Sequence, residues 1–65
     1  MTPDQSRAIA AWFGSNAFRL LQPERRDEIR RRVWDAADPW EALTTQERGE
    51  ANRALAAAQG RAQAG

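Results

Sequence analysis

A helix-start signature recurs along this chain and limits the folds open to it. Thr2-Pro3-Asp4-Gln5 places a hydroxyl before a proline, with a glutamine three residues after the threonine. The hydroxyl can accept from the Gln5 amide while the Gln5 side chain reaches back to the Thr2 amide. Proline suits the first helical position because its missing N–H would have no partner there. Asp38, Pro39 and Glu41 repeat the arrangement, and Thr44 with Glu47 forms a third box. Pro23-Glu24 marks a fourth start behind the weaker cap Gln22. No segment shows the alternation of a strand, so an all-α fold is expected.

Such a fold must be small and thinly cored. The chain has 65 residues, and 14 of its apolar residues are alanine. The large core candidates are Ile9, Trp12, Phe13, Phe18, Leu20, Leu21, Ile29, Val33, Trp34, Trp40, Leu43 and Leu55. Domains of this size usually need a disulfide, a metal or a partner chain. There is no cysteine and no histidine, which excludes disulfides and the common zinc sites. Good helix packing, self-association or a partner remains.

The spacing predicts three main helices. The first begins at Pro3, with Ile9, Phe13, Asn16, Ala17 and Leu20 on one stripe and Trp12 and Leu21 at its edges. Gly14-Ser15-Asn16 are poor helix formers. A continuous helix would point Phe18 away from the stripe; a break at Gly14 makes residues 16 to 21 a separate turn and lets Phe18 rejoin the core. The break is favoured, because an exposed phenylalanine is costly. The second helix should run from Pro23 to Ala37, burying Ile29, Val33 and Ala36, and stop at Asp38-Pro39. A short extra turn over residues 39 to 43 should carry Trp40 and Leu43. The third helix should span Thr45 to Gln59, with the narrow stripe Ala51, Ala54, Leu55 and Ala58, and end at Gly60. The expected architecture is a bundle of three main helices with a short helical turn between the second and third, a single domain over residues 1–60 and a frayed tail over 61–65.

Charge is balanced overall and concentrated locally. Ten arginines, with no lysine, face nine acids for a net charge of +1. All-arginine usage with abundant alanine suggests a GC-rich genome, bacterial or phage. Near-neutrality gives no general attraction to nucleic acid or anionic membranes. The densest cluster is Glu24-Arg25-Arg26-Asp27-Glu28-Ile29-Arg30-Arg31-Arg32. Asp27 can reach Arg30 and Arg31, and Glu28 can reach Arg31 and Arg32, each pair worth ~0.2–0.5 kcal/mol. A solvated face held by its own ion pairs is the favoured reading. Arg25, Arg26 and Arg30 are the alternative phosphate contacts, should the second helix read DNA, although interleaved acids spoil the clean basic stripe of a nucleic-acid footprint.

Trp12 and Trp40 lie near the apolar stripes and read as core. Trp34 lies about a third of a turn off its stripe and four residues after Arg30, where a cation–π contact is available on the surface. An exposed tryptophan flanked by arginine is a hot-spot composition; a Trp34 covered by the 38–43 turn weighs equally. The triplet Trp12-Phe13-Gly14 matches the Trp-x-Gly turn of small helical-hairpin secretion substrates over three residues only, too near the N-terminus for a long first helix, and assigns no family.

Catalysis is not expected. Histidine, cysteine, tyrosine and lysine are all absent, which removes nearly every common base and nucleophile. No glycine-rich phosphate loop occurs, and no metal, cofactor or small-molecule substrate is expected. Met1 to Gln5 lack the charged start and apolar run of a signal peptide. No stretch approaches the ~20 apolar residues of a membrane span. A cytoplasmic protein without a membrane partner is the expectation. The function expected is association with another protein, or with a second copy, as a regulator, adaptor, docking domain or inhibitor. Trp34 would be the anchor, Arg30 and Arg31 would orient it, and Phe18 would join them if the first helix is continuous. A small DNA-binding protein is the alternative, and a structural homo-oligomer a further one.

Overall fold

The computed structural model describes the backbone of residues 1–64 and the side chains of residues 1–61. It is mostly helical, with α1 over Pro3–Phe13, α2 over Asn16–Arg19, α3 over Pro23–Asp35 and α4 over Thr45–Ala64. No strand occurs among the described residues.

The caps that the sequence spells are made. The Gln5 amide donates to Thr2 Oγ1 at 3.2 Å and the Thr2 amide donates to Gln5 Oε1 at 2.9 Å. At α4 the Glu47 amide donates to Thr44 Oγ1 at 3.1 Å and the Thr44 amide to Glu47 Oε1 at 2.8 Å. Each closed box satisfies amides that the first helical turn cannot pair within itself. Gln22 makes no side-chain cap at α3. Asp38 accepts from the Trp40 amide at 3.1 Å. It opens a hydrogen-bonded turn, closed by Ala42 N–H to Asp38 C=O and Leu43 N–H to Trp40 C=O, both 3.2 Å. Residues 39–43 thus form a turn, and the short extra helix is α2, between the first and second main helices.

The first apolar run breaks as expected. Gly14 ends α1 at φ −94°, and Ser15 restarts the chain as the N-cap of α2. Ser15 Oγ accepts from the Phe18 amide at 3.2 Å and donates to the Trp12 carbonyl at 2.6 Å. This one hydroxyl joins the end of α1 to the start of α2. The restart resets the helical phase, which decides the fate of two large side chains. Phe18 turns fully inward, whereas Leu20, on the stripe of a continuous helix, is 86% exposed. Leu20 is therefore not a core residue.

Three further differences have local causes. α3 stops at Asp35, because Ala36 turns to extended geometry (ψ 143°) ahead of Asp38-Pro39. α4 passes Gly60 and continues to Ala64, so Gly60 is not its stop. A single glycine costs a helix only about 1 kcal/mol relative to alanine, and the alanines around it favour continuation. The tail expected over 61–65 is helical to Ala64; Gly65 lies outside the described residues.

The core contains Ala8, Ile9, Trp12, Phe18, Ile29, Val33, Leu43 and Ala51, with Phe13, Leu21, Trp40, Ala54 and Leu55 packed against it. Ala8 and Ala51 are fully buried, and α1 and α4 are the most closely packed helices. Small side chains let the two backbones approach. Trp12 and Phe18 meet edge to face with centroids 5.1 Å apart, and Phe13 and Phe18 lie at 4.8 Å. Each large buried side chain contributes about 1.5–3 kcal/mol by leaving water. α3 is fastened by Ile29 and Val33 on its inner face.

Candidate protein-docking face

The last turn of α3 carries Trp34 at the molecular surface, 70% exposed. The burial pattern of α3 explains it. Ile29 and Val33 define the inner face, and one residue beyond Val33 is a rotation of about 100°. The ring meets Phe13 edge-on, with centroids 6.5 Å apart. Between Trp34 and α1 runs a groove of about 170 Å³, lined chiefly by Ile9, Ala10, Phe13, Val33, Trp34 and Pro39. Met1, 53% exposed, closes one side. Single exposed apolar side chains are ordinary; an exposed tryptophan continuous with an apolar groove makes this face the candidate.

The arginines near Trp34 are arranged differently from the expectation. The Arg30 guanidinium lies over the Phe18 ring, 5.3 Å from its centroid, so the cation–π contact falls on Phe18. Arg30 also pairs loosely with Asp27, at 3.6 Å. Arg31 is exposed and has no carboxylate within 4.0 Å among the described residues. Trp34, Arg30 and Arg31 therefore all reach the outer surface of α3. Phe18, expected to join them only on a continuous helix, is buried and does not belong to that surface.

Of the alternative phosphate contacts, Arg25 and Arg30 already face carboxylates. Arg25 donates to Glu28 at 2.9 Å and lies 3.9 Å from Glu47. Arg26 is half-buried, and its Nε is buried without a hydrogen-bond partner. Glu28 therefore pairs backward with Arg25, not forward with Arg31 and Arg32 as its spacing suggested.

Arg32 turns inward across the molecule. Its guanidinium donates to both carboxylate oxygens of Glu47, at 2.8 and 2.6 Å, and to the Ala42 carbonyl at 2.9 Å. Burial pushes the Glu47 carboxyl up, but the Arg32 and Thr44 hydrogen bonds outweigh it and hold the group below the ordinary glutamate range. The hydrogen bond to Glu47 raises Arg32 in turn. Arg48 adds a parallel tie, donating from Nε to the Trp40 carbonyl at 3.1 Å and pairing with Glu41 at 3.2 Å. Together these fix the 36–44 segment between α3 and α4, and so fix the end of α3 that displays Trp34. No sequence signal points to the Arg32–Glu47 pair, whose members are 15 residues apart on different helices.

A second cleft of about 230 Å³ has Trp12, Leu21 and Ile29 on its floor and Arg25, Glu47 and Glu50 on its rim. Both carboxylates are engaged, Glu47 by Arg32 and Glu50 by Arg53 at 2.5 Å. Among the described residues no group of three metal-ligating side chains converges, and no helix is long and apolar enough to cross a membrane. Comparison with protein-family models, curated proteins and solved structures gives no match.

Proposed function

We propose that this chain is a non-enzymatic protein-association module that binds through Trp34 and the adjoining groove. The observation that carries the reading is the 70% exposure of Trp34 beside an apolar groove on a domain with a thin core. Tryptophan is enriched among the few residues that dominate binding energy, because it buries a large rigid surface. Arg30 and Arg31, both exposed on α3, would orient the partner. A role as a cytoplasmic regulator, adaptor, docking domain or inhibitor follows from this reading, and a bacterial or phage origin would suit it. The DNA-binding alternative draws less support, since Arg25 and Arg30 already hold acidic partners.

The test is capture on the tagged chain, with nuclease treatment and a Trp34→Ala bait in parallel. Capture of a protein that survives nuclease and is lost with Trp34→Ala supports the reading. Capture that is unchanged by Trp34→Ala, or that disappears with nuclease and falls steeply with salt, overturns it, since phosphate contacts release counterions.

A further inference from the structure

Resting on the Trp34 face as the association surface, we infer that its occupant is an acidic amphipathic helix of a partner protein, with one apolar side chain in the Trp34 groove and carboxylates on Arg30 and Arg26. The argument begins with how α3 distributes its arginines. Arg25 pairs with Glu28 and approaches Glu47, and Arg32 grips Glu47, all on the flank that faces α4. The other flank carries Arg26, Arg30 and Trp34, each four residues after the last and so on one ridge of the helix. Trp34 meets Phe13 and Arg30 lies over Phe18, so this ridge borders α1 and α2. Phe18 in turn lies 4.8 Å from Phe13, which lines the groove. Arg30 therefore stands about 6 Å, and Arg26 about 12 Å, along the axis from the tryptophan.

Both guanidinium groups have hydrogen bonds to give. Arg30 approaches Asp27 only to 3.6 Å, beyond hydrogen-bond length, and the Phe18 ring beneath holds it in place. Arg26 has no carboxylate within 4.0 Å among the described residues, and its Nε is buried without a partner. Each step of four residues turns the ridge by about 40°, which brings Arg26 nearer the inner face than Arg30 and half-buries it. Arg32, the other half-buried arginine of α3, has Glu47. A half-buried charge without a counter-ion is unfavourable, and a carboxylate matches the guanidinium fork. This selects an acidic occupant.

The groove selects the rest. Its volume of about 170 Å³ suits one large apolar side chain, given that a cavity of about 150 Å³ accepts benzene. A helix laid along α3 would carry acids one and two turns from that anchor, in step with Arg30 and Arg26. They belong at that end alone. At the other end Met1 and Pro39 close the groove, and Asp38 lies 3.8 Å from the Met1 amino group, so an acid there would meet Asp38. A phosphate backbone matches this face less well, because its charge is uniform and it brings nothing apolar to Trp34.

The experiment is selection of a displayed library of amphipathic helical peptides on the whole chain, followed by titration of the enriched peptides. Wild type is compared with Trp34→Ala, Arg26→Gln, Arg30→Glu and, as a control, Arg53→Glu on α4, which lines no part of the groove. A labelled DNA duplex is titrated in parallel, and the free chain is run in sedimentation equilibrium. Helical content is checked for each variant; the sequences enriched on wild type give an answer that needs none of them. Enriched peptides are expected to carry one large apolar residue, with acids one and two turns to one side. Their binding should be lost with Trp34→Ala, fall roughly tenfold or more with Arg30→Glu, fall with Arg26→Gln, and be unchanged with Arg53→Glu. Peptides that need Trp34 but carry no such acids overturn the inference and leave the association surface standing. Peptides indifferent to Trp34→Ala, or no enrichment at all, overturn both. A Trp34-dependent dimer of the free chain overturns the acidic helix as occupant. So does duplex binding that is tighter than the peptides and falls steeply with salt.

Discussion

Arg32 on α3 grips Glu47 on α4 with both terminal nitrogens, at 2.8 and 2.6 Å, while Glu47 also closes the N-cap box of its own helix through the Thr44 amide. One carboxylate therefore joins two helices and starts one of them. Glu47 is 5% exposed, so truncating it would leave a guanidinium and an amide without their partner.

Glu47→Gln keeps the size and some hydrogen bonding but loses the charge. It is expected to destabilise the domain by about 2 kcal/mol, the scale of hydrogen bonds to charged groups. A domain of this length at roughly 0.05–0.15 kcal/mol per residue would feel that as a large fraction of its stability. Urea unfolding monitored by circular dichroism measures it; a midpoint equal to that of wild type would show that the pair does not stabilise the fold.

The same carboxylate sets an acid limb. Its folded-state pKa is held below the ordinary value, about 4.3 for glutamate. The group therefore contributes its stability above the unfolded-state pKa and loses it as pH falls through the folded-state pKa. The contribution is expected to be flat from neutrality to about pH 5 and to disappear at lower pH. In practice, the urea-midpoint gap between wild type and Glu47→Gln should narrow as the solution is acidified through that window. A gap that widens would contradict the sign.

The junction between α1 and α2 depends on Ser15 more than on Gly14. Gly14 has φ −94°, ordinary for any residue, and an added Cβ would meet only carbonyl oxygens at 3.6 and 3.9 Å. Gly14→Ala should therefore change stability by less than about 0.5 kcal/mol, whereas Ser15→Ala should cost about 1 kcal/mol through the lost cap. Thermal melts of both variants decide it, and the reverse order would show that the turn relies on glycine.

Gly60 lies inside α4, and a methyl group added there would meet nothing within 4 Å. Gly60→Ala is expected to stabilise by about 0.5–1 kcal/mol, by reducing the freedom of the unfolded chain and favouring the helix. A loss of helical signal or of melting temperature would contradict the continuous α4.

Two aromatic truncations should separate core from surface. Phe18→Ala removes a fully buried ring and should cost about 3–5 kcal/mol, enough to unfold much of the population. Trp34→Ala should cost less than about 1 kcal/mol in the monomer, because its ring is mostly in water. If the two variants melt alike under dilute conditions, Trp34 is a packing residue and not an anchor.

The starts of α1 and α4 were legible in the residues alone. Thr2 and Thr44 cap α1 and α4 through their own side chains, Asp38 opens the 39–43 turn in the same way, and such contacts span three residues or fewer, so local chemistry suffices. The sequence also determined most of the inner faces, because Ile9, Trp12, Ile29, Val33 and Ala51 follow helical periodicity and each helix needs only one buried side. The all-α class followed from the same signals. Packing settled which way the first apolar run turned after Gly14: a few residues of phase put Phe18 inside and Leu20 outside, and periodicity allows either before the break is fixed. It alone decided that Arg32 leaves the solvated arginine run for Glu47, since no local spacing encodes a contact across 15 residues. The exposure of Trp34 was also settled by packing, because a side chain a third of a turn off its stripe is covered or bare according to what lies beside it; here the 36–44 segment is tied to α3 by Arg32 and to α4 by Arg48, and the ring is left 70% exposed.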